Sequence, residues 1–324
     1  MPTMLEQLGS FSLVWLLLWV TLTLVFGCGY FLVRNTLMNM HPAHSSALIL
    51  AYWTSPVLLS LLLSILLFYP QSGQLLISPH CHGDCGEHAP ILRAGVLGWV
   101  GLSIMAILVI SLTSKFLIML LAGQRIGRQL DRLARRRNGF SELLVPERAV
   151  FTLGWWHPRI YISTGLIDHC STEQLTVIID HERAHRQRRD NLRLLLGSVF
   201  SLALPPGWRR IMQHDLQLMS EQACDFASAA RHGRFTVADT LVHVGRLLKS
   251  ADNTALTSGI NGSDLALRVQ ALLTHSCRAP LTGWHLTGLI MIVTVSVLLV
   301  LNPLHHGIEW LVTVIQWQAL HLHS

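Results

Sequence analysis

A chain of 324 residues that is 51% hydrophobic and 13% charged, with a mean hydropathy of +0.45, carries roughly half the charge of a typical soluble domain, which is about 25% Asp, Glu, Lys and Arg. That balance excludes an ordinary soluble enzyme and points to the membrane. The net charge of +6 suits nucleic acid or anionic lipid, but no helix-turn-helix and no basic patch interleaved with aromatics supports nucleic acid.

In chain order, Phe11 to Val33, Ser46 to Tyr69, Gly95 to Gly123 and Leu281 to Leu301 are apolar runs long enough to span a bilayer as helices. Lys115 in the third run can snorkel towards an interface. The opening MPTMLEQLGS has no Lys or Arg and leads into a run too long for a signal-peptide core, so the first segment reads as a span. The expected plan is three transmembrane helices in 1–123 (about 11–33, 46–69 and 95–122), a domain over 124–280, a fourth span over 281–302 and a His-containing tail over 303–324.

Charge sets the expected orientation. Of the 24 Lys and Arg, 21 fall between residues 123 and 283, against 14 of the 18 Asp and Glu. The cluster Arg125, Arg128, Arg132, Arg135, Arg136, Arg137 follows directly on the third span. By the positive-inside bias the 124–280 domain is cytoplasmic, with both termini and the second loop outside. A juxtamembrane cluster of this kind meets anionic lipid head groups.

The outer loop reads SPHCHGDCGEHAP, with Cys81 and Cys85 among His80, His82 and His88. Outside the cytoplasm these cysteines pair as a disulfide or, with the tail histidines His305, His306, His321 and His323, form a second metal site. Cys28, Cys170, Cys224 and Cys277 read as free thiols.

The 124–280 domain opens with a basic helix over Arg125 to Arg137, broken at Asn138-Gly139. Ala149 to Leu153 and Arg159 to Ser163 then read as two strands joined by a turn at His157-Pro158. Ser171 three residues before Gln174 is a capping box, and Leu175, Ile178 and Ile179 supply an apolar stripe. Leu194 to Leu204 is too short to span and reads as a buried or membrane-dipping helix. A helix from Trp208 to His232 and an amphipathic one through Leu241, Val244, Leu247 and Leu248 follow.

The capped helix runs into VIIDHERAHRQRRD. His181 and His185, four apart, share a helix face and can present imidazole nitrogens to one metal ion. Glu182 lies beside them within reach of a water on that ion, the H-E-x-x-H arrangement of zinc metallopeptidases in which the glutamate is the general base. Zinc, with three protein ligands and an open position, suits such a site. Glu221 on the next long helix is the expected third ligand, and Asp225, one turn on, the carboxylate that orients a ligand histidine.

HERAHRQRRD followed about thirty residues later by EQACD, with HPRIYISTGLIDHCSTEQLTVII leading in, resembles the membrane zinc peptidases of the BlaR/MecR type, over roughly residues 90 to 280 and more loosely in the four-span layout. The resemblance implies a gluzincin with His181, His185 and Glu221 on one catalytic Zn2+, Glu182 as base and Asp225 in support. It also implies a bacterial inner-membrane protein whose peptidase domain is cytoplasmic. The antibiotic sensors continue into a large extracellular penicillin-binding domain after the fourth span; here about twenty residues follow, so a β-lactam receptor is unsupported.

A peptidase also needs a sheet edge for its substrate and an oxyanion donor. The strand around Tyr161 is the candidate edge; Tyr161, His214, His232 and Arg234 are candidate donors, among which the sequence does not choose. Asp190 reads as a structural salt-bridge partner at the helix end. The expected fold is an α-helical integral membrane protein with four transmembrane helices and a mostly helical cytoplasmic gluzincin domain carrying a small β element. The expected function is zinc-dependent cleavage of a cytoplasmic protein, such as a BlaI/MecI-like repressor, or of the chain itself, on an outside signal. Alternatives are a membrane quality-control peptidase and a non-catalytic zinc-stabilised scaffold. The expected partners are the bilayer and a peptide or protein substrate, with no direct nucleic-acid binding.

Overall fold

Helices with almost no charge over their apolar runs set the membrane-facing part of the chain: α1 (Met4–Met38), α2 (Pro42–Phe68) and α3 (Gly95–Leu133). The computed structural model describes residues 4–69, 95–249 and 262–274, with residues 287, 291, 295, 299, 302–308, 310–311 and 313–314. Among the described residues, three helices are long and apolar enough to cross a membrane. The Cys81/Cys85 loop and most of the fourth predicted span lie outside the described residues.

The chain divides into two compact units. The first comprises 1–31, 52–114 and 281–324. In it Val14 and Leu18 of α1 pack with Leu63 and Leu67 of α2, and Ile308 joins them. Leu24, Val25, Leu58, Leu62, Ile107 and Ile110 remain exposed, as expected where lipid replaces water. Small residues allow close helix approach: a Cβ on Gly9 would lie 2.5 Å from the Gly98 Cα. Several polar side chains in these helices bond to backbone, with Tyr52 O–H donating to the Phe26 carbonyl at 2.9 Å and Ser64 to the Ser60 carbonyl at 2.8 Å.

The second unit comprises 32–51 and 115–280. The predicted separate basic helix is instead the far end of α3, which runs unbroken to Leu133 and would be about 58 Å long at 1.5 Å per residue. Its 39 residues outrun the roughly 20 a bilayer needs. Arg135 and Arg136, which the helix reading included, lie in strand β1 (Ala134–Arg136). Strands β2 (Ser141–Leu143), β3 (Val150–Leu153) and β4 (Arg159–Ser163) complete a sheet of order β1-β2-β4-β3. β1 and β2 are antiparallel, β2 and β4 parallel, and β3 and β4 antiparallel with Val150 opposite Ile162 and Leu153 opposite Arg159.

Beyond the sheet come α4 (Thr164–Ile167), α5 (Thr172–Arg188), α6 (Asp190–Phe200), a 3-10 turn (Ser201–Ala203), α7 (Pro206–His232), α8 (Arg234–Lys249) and α9 (Gly262–Leu273). The core forms where the sheet meets α5: Ile160, Ile162, Leu166 and Ile178 are buried together. A second cluster, Val177 with Val237, Ala238 and Leu272, ties α5 to α8 and α9. Gly165 is fixed by close approach, since a Cβ there would fall 1.9 Å from the Pro146 carbonyl oxygen.

α5 starts as its sequence predicts. Ser171 Oγ accepts from the Gln174 N–H at 3.1 Å and Gln174 Oε1 accepts from the Ser171 N–H at 3.0 Å. It stops at Arg189, which has φ 54 and is the one non-glycine residue with positive φ among those described. A non-glycine residue in the left-handed region costs free energy, and the turn sends the chain back so that Asp190 faces the helix it has just left. Ser171→Ala should lower stability by about 1 kcal/mol, seen as a lower melting temperature of the detergent-solubilised protein; an unchanged melt would show that the cap contributes nothing.

Candidate metal centre

One face of α5 presents His181 and His185, and α7 crosses it carrying Glu221 and Asp225. The two imidazole Nε2 atoms lie 3.1 Å apart. Glu221 closes the triangle, with Oε2 at 3.5 Å from His181 Nε2 and Oε1 at 3.5 Å from His185 Nε2. Ligands around zinc at bonds of about 2.0–2.1 Å in a tetrahedron are separated by about 3.3 Å, close to the 3.1 Å between the rings, with a different Glu221 oxygen 3.5 Å from each ring.

The backing of each ring makes a cation site the natural reading. His185 Nδ1 is 2.9 Å from Asp190 Oδ2, and His181 Nδ1 is 3.0 Å from Asp225 Oδ1. The first is aligned as a hydrogen bond, while the second contact is close but off the line of the ring N–H. With its Nδ1 proton facing a carboxylate, each neutral ring turns its Nε2 lone pair towards the other. Two lone pairs and a carboxylate so close repel unless a proton or a metal ion lies among them. The donor set therefore fits zinc.

The same crowding perturbs the ionisable groups. Burial pushes the His181 imidazole down, but the Asp225 and Glu221 carboxylates outweigh it and raise its pKa. For His185 burial is likewise overcome, by Glu221 and by the hydrogen bond to Asp190, leaving it well above the usual imidazole range. Glu221 is pushed up by burial and pulled further down by Arg268 and His185, ending well below the usual carboxylate range. The carboxylates around the rings thus favour positive charge at this point, as they would a bound cation.

Glu182 is buried, and its Oε2 accepts from Thr152 Oγ1 at 2.6 Å. That bond fixes the carboxylate between the zinc-ligand face and β3. Asn191 Nδ2 in turn donates to the Thr152 and Gly154 carbonyls at 2.8 and 3.3 Å. A cavity of about 370 Å³ opens over the three candidate ligands and Glu182, walled by Phe151 and Thr152 of β3, Leu241 and Val244 of α8 and Leu265 of α9. Its lining is mostly apolar with a polar floor, as substrate clefts are.

The structure thus brings together His181, Glu182, His185, Glu221 and Asp225 as the sequence predicts. It corrects the substrate-edge assignment: β4, which contains Tyr161, lies between β2 and β3, so β3 is the outer strand beside the site. Tyr161 is 1% exposed and its hydroxyl donates to Asp131 Oδ1 at 2.7 Å. Burial and that carboxylate push its pKa up to about 12. His232 is also misplaced as an oxyanion donor, since its Nε2 lies 2.9 Å from Asp180 Oδ2 and it does not line the cavity. Arg234 sits with its guanidinium 5.9 Å from the centre of the Phe226 ring. Of the four candidates only His214 lines the cavity, with Nε2 2.9 Å from Asp264 Oδ1.

Asp190 does more than the salt bridge read from the sequence. It accepts from Arg188 Nε at 3.1 Å and Arg193 Nη1 at 3.1 Å while holding His185. The Cys224 thiol approaches its Oδ2 at 3.4 Å and is kept protonated by burial, its pKa pushed up to about 11. Thr152 and Arg268 were missed. Arg268 was legible as a cation set on the apolar stripe of Leu265, Val269 and Leu272.

Paired histidines one turn apart, a distant glutamate and a second glutamate fixed beside them make up the residue set of a zinc-peptidase type of centre. In agreement, residues 124–243 match peptidase family M48, whose members are zinc-dependent peptidases. No curated protein and no solved structure matches the chain. The match supports a zinc metallopeptidase family without singling out the BlaR/MecR type.

Replacing Asp190 by Ala removes the acceptor behind His185 and strands Arg188 and Arg193. Zinc affinity should fall about 10- to 100-fold, measured by competition with a chromophoric chelator. Wild-type affinity in that variant would remove Asp190 from the site.

Proposed function

We propose that this protein is a membrane-anchored zinc-dependent endopeptidase that cuts an extended segment of a protein substrate. The observation that carries the reading is the placement of Glu182. It stands on the metal-ligand helix, fixed through one oxygen by Thr152 of the outer strand, at the floor of the cavity.

Zinc bound by His181, His185 and Glu221 would polarise the scissile carbonyl and lower the pKa of the attacking water. The chain's own residues do the rest. With Oε2 held by Thr152, Glu182 offers Oε1 to take the water's proton and pass it to the leaving amine. Asp225 and Asp190 hold the two imidazoles in the tautomer that directs Nε2 inward. β3 supplies a strand along which substrate backbone can align. Asn191 caps the Thr152 and Gly154 carbonyls at its far end, so alignment begins at Val150. The apolar walls of Phe151, Leu241, Val244 and Leu265 take an apolar substrate side chain.

For substrate and role we propose a cytoplasmic protein, a repressor of the BlaI/MecI kind or the chain itself, cut on an extracytoplasmic signal. Support comes from the BlaR/MecR resemblance of the HERAHRQRRD and EQACD motifs and from the basic excess after the third span.

Glu182→Gln should keep zinc and lose about 10²- to 10⁴-fold in peptide hydrolysis, measured with the full-length protein in proteoliposomes. Zinc removal by a chelator should abolish cleavage, and added zinc restore it. A Glu182→Gln protein that still transmits the signal in cells would replace the peptidase with a zinc-stabilised scaffold. Unprompted cleavage of many unrelated membrane proteins would replace signalling with quality control.

A further inference from the structure

We propose that Arg268 is a positioning residue of the metal centre, which holds Glu221 and Asp225 in place through a forked ion pair and leaves Glu221 one oxygen for the metal. The inference rests on the zinc reading above and concerns a residue beyond the segment matched to family M48, residues 124–243.

Asp225 and Glu221 lie four residues apart on α7, so their carboxylates share a face and repel. Both are drawn into a site where water is scarce; Asp225 has a side chain only 1% exposed. Arg268 on α9 answers both. Its Nε donates to Asp225 Oδ2 at 2.8 Å and its Nη2 to Oδ1 at 2.7 Å, the parallel two-bond geometry in which guanidinium is strongest. The remaining terminal nitrogen, Nη1, reaches Glu221 Oε2 at 3.0 Å. All three nitrogens of the guanidinium are thereby directed at the centre, and the side chain is only 10% exposed.

Two consequences follow from the geometry. Asp225, held from behind, presents Oδ1 to His181 Nδ1 at 3.0 Å, so the orientation of that imidazole is set from α9. Glu221 has Oε2 engaged by Arg268 at 3.0 Å and 3.5 Å from His181 Nε2, and keeps Oε1, which Arg268 does not engage, on the His185 side at 3.5 Å from Nε2. A glutamate that ligates through one oxygen leaves zinc the open position a hydrolytic site needs. Lysine cannot reproduce this, because one ammonium cannot span both carboxylates in a fixed plane. α9 is packed through Leu272 into the cluster of Val177, Val237 and Ala238, which fixes where the guanidinium can reach.

The test measures zinc affinity by chelator competition, and the melting temperature of chelator-treated protein, on the full-length chain in detergent. Arg268→Gln should weaken zinc binding about 10- to 100-fold, the range for loss of groups that orient metal ligands. Arg268→Lys should fall between the two, and carries the test alone if Arg268→Gln does not fold. Val269→Ala, on the same helix and partly buried against the same cluster, should lower the melting temperature and leave zinc affinity unchanged. Wild-type affinity in the Arg268 variants, or an equal affinity loss in Val269→Ala, overturns the inference. Failure of the zinc reading itself looks different: the unsubstituted protein would then bind no zinc, or His185→Ala would bind it undiminished.

Discussion

The centre is built around negative charge that has been taken out of water. Asp190, Asp225 and Glu182 are buried, and Glu221 is largely so. Isolated carboxylates in such a place would protonate or drag the fold open. Each is instead met by a specific partner: Asp190 by Arg188, Arg193 and His185, Asp225 by Arg268 and His181, Glu221 by Arg268 and the two rings, and Glu182 by the Thr152 hydroxyl. The dependence runs outward from there. α5 must stop where it does for Asp190 to turn back, α9 must lie where it does for Arg268 to reach, and β3 must flank α5 for Thr152 to hold Glu182. A histidine pair alone would not require this architecture; histidines backed by charged carboxylates do.

The parts of this arrangement that are local in sequence could be read from it, and those that depend on distant packing could not. The Ser171 cap, the helix carrying His181, Glu182 and His185, and the i, i+4 relation of Glu221 to Asp225 follow from periodicity within one helix. The strands at 150–153 and 159–163 were also legible, since aromatic and β-branched residues cluster there. Their order was not. Nothing in the Tyr161 segment says that β2 lies on its other side, because β2 is three residues long and reaches β4 by a parallel pairing that skips β3. The α3 boundary failed for a related reason: arginines have good helix propensity, so the sequence marks no division between the membrane-crossing part of that helix and its basic end. Asp190 and Arg268 were visible as charges, but their partners lie on other helices, which only tertiary packing brings near.

The charge network does not end at the candidate metal ligands. Arg188 and Arg193, which hold Asp190, also donate to Ser46 Oγ in α2 at 2.7 and 3.3 Å. Arg34, near the end of α1, makes a two-bond pair with Asp215 of α7 at 2.6 and 2.8 Å, six residues before Glu221. Residues 32–51, the ends of α1 and α2 with their connecting turn, accordingly belong to the same compact unit as α5 to α9. One step separates Ser46 from Asp190's arginines and a second separates Asp190 from His185. Ser46 and Asp215 are both fully buried, so neither contact is a surface ion pair that water would replace at no cost. The ends of the first two apolar helices are therefore joined by side-chain contacts to the helices that carry two of the three candidate zinc ligands. A displacement of the α1–α2 turn would have to be absorbed either by breaking a buried charge contact or by moving the helices that carry His185 and Glu221. The second course alters the geometry of the candidate ligands, so residues 32–51 and the helices carrying His185 and Glu221 are joined within one compact unit.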